Sequence, residues 1–170
     1  MTARRPPKET GLTHVAADGS ARMVDVSDKP PTKRTARARG RVRMNKEAFE
    51  AIRSHAAAKG DVLSTARIAG IMAAKKTSEL VPLCHPLLLD DVGVDLTLEV
   101  DPSHGGGVVS VQSVVTTTGR TGVEMEAIVA VTVALVTVYD MVKSLDRSMT
   151  LTDISLVEKS GGRSDPYFAR

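Results

Sequence analysis

The hydrophobic patterning of this 170-residue chain predicts an α+β fold, and three stretches carry the prediction. Apolar and polar residues alternate over 32–44 and again over 92–100, with the period of a half-buried β-strand. Residues 127–139 contain no charge over thirteen positions, which is typical of a helix buried over most of its circumference. Because no linker separates these stretches, we expect one sheet with helices packed on one face.

The strand at 32–44 has a basic face and an apolar face, and two helices should follow it. The basic face carries Thr35, Arg37, Arg39, Arg41 and Arg43, and the apolar face carries Ala36, Ala38, Gly40, Val42 and Met44. Asn45 can cap a first helix with a short apolar stripe at Ala48, Phe49 and Ile52. Gly60 and Asp61 end that helix and cap a second one at about 61–78.

The second half of the chain predicts a hairpin, the uncharged helix and a last strand. Val92, Val94, Leu96, Leu98 and Val100 face inward, and a Gly-rich turn at 101–107 leads to a strand at 108–117. The helix should run over about 123–144, with a strand near 150–158 after it. The order strand, two helices, strand, strand, helix, strand is the split βαβ order of ferredoxin-like folds with one extra helix.

The domain organisation follows from the flanking segments. Residues 1–11 read as a flexible N-terminal arm, residues 12–160 as a single domain, and residues 161–170 as a flexible C-terminal tail. Aromatic residues make up only 2% of the chain, so the core must be built from small aliphatic side chains. We therefore expect association between subunits to supply part of the stability.

Charge and cysteine content limit the location and the partners. The formal net charge of +3 favours anionic partners without specifying them. The single cysteine, Cys84, excludes an internal disulfide framework and fits a reducing compartment. The thirteen uncharged residues fall short of the ~20 needed to cross a bilayer, and the basic N-terminal segment has no apolar run behind it. We expect a cytoplasmic protein with no membrane partner.

Charged residues bracket the uncharged helix at both ends. Glu124 and Glu126 open it, and Asp140 and Lys143 close it on one face. The last two are interpreted either as an i,i+3 salt bridge at a helix end or as an acid/base pair, since desolvation shifts the pKa of a lysine readily. Pro82 and Pro86 make the segment Leu83, Cys84 and His85 rigid, so that His85 is either a ligand contact or a structural histidine.

Three cations are candidates for binding phosphate. Arg34 lies on the same parity as Ala36 and Ala38, where a charged group needs a partner. Lys59 precedes a helix N-terminus, and Lys159 precedes two glycines that could form an anion-binding nest, although a solvated lysine is the commoner case. A zinc site is not indicated, because Cys84 and the histidines lack ligand spacing.

Several strings occur together and in this order: Met23-Val-Asp-Val-Ser27, Lys59-Gly-Asp-Val62, Ala66-Arg-Ile-Ala-Gly-Ile71, Pro82-Leu-Cys-His-Pro-Leu87, Thr118-Gly-Arg-Thr-Gly-Val-Glu-Met-Glu-Ala127, Tyr139-Asp-Met141 with Lys143, and Lys159-Ser-Gly-Gly162. Taken together, these strings resemble the molybdenum-cofactor biosynthesis protein C family, the cyclic pyranopterin monophosphate synthases. The resemblance covers roughly residues 12–164.

The resemblance implies an enzyme that converts (8S)-3′,8-cyclo-7,8-dihydroguanosine 5′-triphosphate into cyclic pyranopterin monophosphate and pyrophosphate. It implies a homo-oligomer, a hexamer built as a trimer of dimers, with active sites at subunit interfaces. It also implies a small-molecule substrate, no nucleic-acid partner, no redox cofactor and no protein metal site. Whether Mg²⁺ accompanies the triphosphate stays open.

The resemblance also assigns roles to residues. Asp140 and Lys143 match the pair that moves protons in the family's catalytic pocket, and Lys59 matches a second essential lysine. Arg34 and Lys159 match cationic positions suited to the triphosphate. The substrate-contacting segments match Leu83, Cys84, His85, Met125 and Glu126. Glu124 lies within the motif, where a substrate role and an interface role both remain open.

A nucleic-acid-binding module that uses the basic strand 33–43 is the alternative. Such modules stack bases on aromatic side chains of the sheet. The predicted strands hold no Phe, Tyr or Trp, since Phe49, Tyr139, Tyr167 and Phe168 fall in predicted helices or the tail. This absence counts against the alternative.

Overall fold

A computed structural model describes residues 20–102, 105–162 and 165–169 of the chain. The elements are β1 (Thr32–Met44), α1 (Lys46–Arg53), α2 (Val62–Lys75), α3 (Thr77–Leu80), β2 (Asp91–Asp101), β3 (Gly106–Gly119), α4 (Glu124–Val142), β4 (Thr150–Ser160) and β5 (Tyr167–Phe168). The predicted arm at 1–11 lies outside the described residues.

The strands form one antiparallel sheet in the order β2-β3-β1-β4-β5. Its first four strands have the order of a ferredoxin-like sheet, so the predicted α+β class is confirmed. The alternation along β1 is also confirmed: Ala36, Ala38 and Val42 are buried, whereas Arg37 and Arg39 are exposed on the opposite face.

The helices cover one face of the sheet, and α4 is the centre of the core. It packs on β1, β3 and β4, with α2 beside it. Val131 and Leu135 of α4 lie over Gly40 of β1, where an added Cβ would come within 2.8 Å of each side chain. Gly70 gives α2 the same close approach, since a Cβ there would lie 2.8 Å from the carbonyl oxygen of Ala130.

Four details differ from the sequence predictions. The second helix is divided into α2 and α3 at Lys76. Val100, predicted to face inward, is 67% exposed at the hairpin end of β2. Tyr167 and Phe168, assigned to a tail, pair with Lys159 and Glu158 as the edge strand β5. Lys143 lies just beyond α4, as its C-cap.

The apolar character of α4 also differs from the expectation, although the helix is slightly shorter than the predicted 123–144. It has 19 residues with a mean hydropathy of 1.8, so it is long and apolar enough to cross a membrane by length and composition alone. The uncharged run of thirteen residues is shorter than a membrane span. The helix is longer than this run because it continues through charged residues at both ends. Half of α4 is buried inside the protein, against the sheet and α2, as in a core helix.

Candidate active site

A first cavity of about 320 Å³ lies where β1, the β3–α4 loop and the end of β4 meet; we call it the Arg34 pocket. Arg34 Nε donates to the carbonyl oxygen of Gly119 (3.0 Å) and Nη2 to that of Arg120 (3.2 Å). These two acceptors are neutral, so they fix the guanidinium without cancelling its charge. An oriented guanidinium is suited to bidentate binding of phosphate or carboxylate.

The end of β4 closes the Arg34 pocket with Lys159, Gly161 and Gly162. Lys159 Nζ forms an ion pair with Glu124 at 3.0 Å. Gly161 and Gly162 have φ angles of +92° and +83°, which side-chain-bearing residues rarely adopt. A Cβ on Gly162 would lie 2.8 Å from Arg34 Cζ, so the second glycine leaves room for the guanidinium.

A second cavity, of about 710 Å³, adjoins the first; we call it the His85 pocket. Its lining includes Leu83, Cys84 and His85 from the α3–β2 segment, and Met125 and Glu126 from the start of α4. His85 Nε2 lies 2.8 Å from the carbonyl oxygen of Val24. Since a carbonyl oxygen only accepts, Nε2 carries the proton and Nδ1 is left to contact a ligand.

Glu126 is the buried acid of this site. It is only 4% exposed, and burial raises the pKa of its carboxyl above the ordinary range, with a smaller contribution from Glu124. Burial also raises the pKa of Cys84, and the charge of Glu126 adds to that effect. Cys84 is therefore held as a thiol, which does not favour a nucleophilic role.

The two pockets form one cleft. Lys29, Thr121, Gly122 and Glu124 line both of them. The structure thus brings together all eight residues predicted to contact substrate, which are Arg34, Leu83, Cys84, His85, Glu124, Met125, Glu126 and Lys159. The cleft joins a cationic end to an end with apolar walls and a buried carboxyl.

The three predicted catalytic residues form a separate cluster at the C-terminal end of α4. Asp140 Oδ2 lies 2.6 Å from Lys59 Nζ and Oδ1 lies 2.7 Å from Lys143 Nζ. Lys59 Nζ also donates to the backbone carbonyl oxygen of Asp140, at 2.9 Å. Hydrogen bonds from Lys143 and then Lys59 lower the pKa of Asp140 to about 2, and the bond to Asp140 raises the pKa of Lys143.

A single chain does not unite this cluster with the cleft. Glu124 and Asp140 lie at opposite ends of α4, and sixteen residues of helix separate them by ~24 Å. All three side chains of the cluster are about half exposed. The predicted site is therefore divided into two halves, which are the cleft and the Lys59–Asp140–Lys143 cluster.

Sequence reasoning missed two cations of the cleft. Lys29 lines both pockets, but it lies in an irregular segment where no periodicity marks it. Arg120 lines the Arg34 pocket and lies within the Thr118–Ala127 string, whose position between β3 and α4 was the available signal. Within the described ranges, no group of three or more His, Cys, Asp or Glu side chains is arranged to hold a metal ion.

The fold and the cleft define an α+β protein with a ferredoxin-like sheet and a small-molecule site suited to an anionic ligand. A model of the MoaC family matches residues 23–162. The chain belongs to the MoaC family.

Three relatives show how much of the chain the similarity covers. It is 56% identical over 156 residues to a cyclic pyranopterin monophosphate synthase of Heliobacterium modesticaldum, covering 92% of this chain and 96% of the relative. It is 58% identical over 158 residues to the synthase of Methylobacterium nodulans, covering 93% and 96%. It is 57% identical over 156 residues to cyclic pyranopterin monophosphate synthase 3 of Mycobacterium tuberculosis, covering 92% and 85%.

Proposed function

We propose that this protein is a cyclic pyranopterin monophosphate synthase of molybdenum cofactor biosynthesis. It converts (8S)-3′,8-cyclo-7,8-dihydroguanosine 5′-triphosphate into cyclic pyranopterin monophosphate and pyrophosphate. The names and the 55–58% identity of relatives that match nearly the full chain support this. The observation that carries the proposal is the single cleft, in which one end suits a triphosphate and the other a polar ring system.

The cationic end of the cleft provides the electrostatics that the cyclisation needs. Closing a cyclic phosphate with pyrophosphate as the leaving group builds negative charge on the departing oxygens, which fixed cations stabilise. Arg34 is held by two carbonyl oxygens and can meet the phosphates without reorganising. Lys159 is paired with Glu124 in the free protein, so a bound triphosphate would compete with that carboxylate.

The His85 pocket would hold the ring system. Its walls include Leu83 and Met125, which suit a flat ring. Glu126, with a raised pKa, and His85 Nδ1 are available to exchange hydrogen bonds or protons with ring nitrogens and carbonyls. Cys84 would line the wall of the pocket as a neutral thiol, because its raised pKa disfavours the thiolate.

Lys59, Asp140 and Lys143 would supply the acid/base chemistry of the ring rearrangement. In the isolated subunit the raised pKa keeps Lys143 protonated and makes it a weak acid, and the low pKa of Asp140 makes that carboxylate a weak base. Asp140 positions both ammonium groups. Burial of the cluster against another surface would lower the pKa of Lys143 towards that of a working acid/base group.

The divided site supports a homo-oligomer in which two subunits build each active site. A hexamer arranged as a trimer of dimers is the assembly we propose, located in the cytoplasm, where the single Cys84 would stay reduced. The thin core, with many buried valines and alanines and few aromatics, is consistent with stability gained from association.

The alternative, a nucleic-acid-binding module, is not supported by the comparisons. Arg39 and Arg41 do lie on the face of the sheet that the helices leave open, and Arg37 there pairs with Glu158 at 3.3 Å. β5 places Tyr167 and Phe168 in the sheet, contrary to the expectation that no strand holds an aromatic residue. They lie at the edge of the sheet, beyond β4, rather than on the strands next to the arginines.

The proposal is tested by incubating the purified protein with the cyclised-GTP intermediate. We expect pterin formation with release of pyrophosphate, and loss of both in Lys143→Ala. No turnover by correctly assembled wild-type protein would refute the proposed activity. Unchanged turnover in Lys143→Ala would retain the enzyme and refute the proposed site.

Mixing two inactive variants tests the shared site. Lys143→Ala damages the cluster at one end of α4, and Lys159→Ala damages the Arg34 pocket at the other. If each site combines halves of two subunits, randomly mixed dimers of the two variants regain one intact site in every second dimer, or about a quarter of wild-type activity. Mixing without recovery would mean that each subunit builds its own site.

A further inference from the structure

Glu124 is a carboxylate at the otherwise cationic end of the cleft. The described residues that line the Arg34 pocket include a single acid, Glu124, and four cations, which are Lys29, Arg34, Arg120 and Lys159. Glu124 Oε1 accepts a hydrogen bond from Lys159 Nζ at 3.0 Å. A carboxylate repels the phosphates that such a pocket would bind, because like charges repel. Its presence among the cations therefore needs an explanation.

The fold fixes both members of this ion pair. Glu124 is the first residue of α4, where the partial positive charge of the helix N-terminus favours a carboxylate. Its side chain lies against Gly122, since a Cβ added there would come within 2.7 Å of Glu124 Cδ. Lys159 lies in β4 and pairs with Ala36 of the central strand β1. The side chains of Lys159 and Glu124 are only 34% and 30% exposed, so salt screens the pair less than it screens an open surface pair.

Lys159 and Arg34 differ in what a phosphate must do to reach them. Arg34 is held by the carbonyl oxygens of Gly119 and Arg120, which leave its charge uncompensated. The ammonium group of Lys159 already has a charged partner in Glu124. A phosphate adds to the contacts of Arg34, whereas at Lys159 it replaces a carboxylate. The flexible stem and three donors of a lysine suit such an exchange of partners.

We propose that Glu124 is a counter-ion that competes with phosphate for Lys159, and that this competition promotes the release of pyrophosphate after the cyclisation. The inference rests on the proposed function, since that reaction forms the pyrophosphate. The substrate gains further contacts from its ring in the His85 pocket, and these offset the cost of displacing Glu124. Pyrophosphate is no longer joined to the ring, so it has only the cationic end to bind, and Glu124 recaptures Lys159.

The strength of the ion pair sets the size of the effect. A ligand binds more weakly by the fraction of protein that is ready to bind it. An ion pair at the upper end of the range for partly exposed pairs leaves the lysine unpaired in roughly one molecule in five. Glu124→Gln removes the charge and keeps the size of the side chain. We therefore expect this variant to bind inorganic pyrophosphate about fivefold more tightly than the wild type.

Calorimetric titration of the assembled protein with inorganic pyrophosphate tests the exchange without requiring turnover. The fivefold gain in Glu124→Gln should depend on Lys159, so the same change made in Lys159→Ala should give little or no gain. Unchanged or weaker binding of pyrophosphate in Glu124→Gln would overturn the proposal. An equal gain with and without Lys159 would also overturn it, because general repulsion by Glu124 would then explain the effect.

Glu158→Gln is the matched control. Glu158 adjoins Lys159 in β4, is 31% exposed and pairs with Arg37 on the opposite face of the sheet. The control thus loses one charge and one ion pair of the same kind, outside the cleft. It should bind pyrophosphate as the wild type does, and thermal unfolding of each variant checks that the fold is kept. A gain in Glu158→Gln equal to that in Glu124→Gln would refute the assignment to Glu124.

These outcomes are separable from a failure of the proposed activity. In a protein that turns over the cyclised-GTP intermediate, the inhibition constant of pyrophosphate should fall in Glu124→Gln by the same factor as the dissociation constant. Tighter, Lys159-dependent binding of pyrophosphate in a protein without turnover would support the competition for Lys159 and refute the activity. Turnover combined with an unchanged affinity for pyrophosphate in Glu124→Gln would support the activity and refute the competition.

Discussion

Gly162→Ala is expected to damage substrate binding through Arg34 while costing only modest stability. Gly162 has φ +83°, and forcing an alanine into this left-handed region costs ~1–2 kcal/mol. For a domain of this size that lowers the Tm by ~2–8 °C. The added Cβ would lie 2.8 Å from Arg34 Cζ, and the guanidinium, at the end of a flexible side chain, would be the group that moves.

The functional loss follows from what Arg34 contributes. Hydrogen bonds to charged groups are worth ~1.5–3 kcal/mol, so displacing the guanidinium from the phosphates should lower kcat/KM by ~10- to 150-fold. The assay is pyrophosphate release over a range of substrate concentrations, beside thermal unfolding of the same samples. Gly105→Ala is the matched control, with φ +66° and no described atom within 4 Å of the new Cβ.

A double-mutant cycle decides whether the effect passes through Arg34. If it does, adding Gly162→Ala to Arg34→Ala should cost no further activity. An equal loss of kcat/KM in Gly105→Ala, or full additivity with Arg34→Ala, would refute the reasoning. In that case backbone strain, rather than the position of the guanidinium, would explain the defect.

Three further variants test the charged groups at the two ends of α4. Lys143→Ala should lower turnover by ~10²-fold or more with an unchanged circular dichroism spectrum, since its side chain is 52% exposed; loss of assembly would make Lys143 structural. Asp140→Asn removes the bond that raises the pKa of Lys143, so the alkaline limb of the pH–rate profile should move to lower pH; an unmoved limb would separate Lys143 from the titration. The raised pKa of Glu126 means that the folded protein holds this proton more tightly than the unfolded chain, so wild-type stability should fall as pH rises from the ordinary 4.5 through the raised value. Glu126→Gln should flatten that fall in Tm, and parallel curves for the two proteins would contradict it.

The fold was largely predictable because its elements have strong local periodicity. The alternation along β1 follows from the pleat of a strand, which places successive side chains on opposite faces. The uncharged segment of α4 indicates a helix that is buried over most of its circumference. The prediction that Val100 is buried was wrong for a physical reason. The alternation along a strand predicts which face a side chain lies on, but burial also requires a helix packed over that position. The strand β5 was not predicted because a two-residue strand is too short to show an alternating pattern. It forms because the chain folds back to pair with β4.

The site was less predictable because its geometry comes from contacts across the sequence. Lys59 and Asp140 are 81 residues apart, and no pattern near either residue indicates that their side chains meet. Lys29 lies in a segment without regular structure, so its place in the cleft depends entirely on tertiary packing. The motif strings indicated which residues belong to the site, whereas only the structure separates them into two halves.

The two halves explain why α4 has the composition it has. A helix with one apolar side would be enough to cover the sheet, and charged residues on its outer side would keep a monomer in solution. Instead the middle of α4 carries no charged residue on any side. Its charged residues lie at its two ends, where the cleft and the lysine cluster are located. If two subunits build each active site, the same helix forms the core of each subunit and sets the ~24 Å spacing between the cleft and the lysine cluster. Changing the length of α4 would then alter activity through register, even where the added residues are buried and well packed.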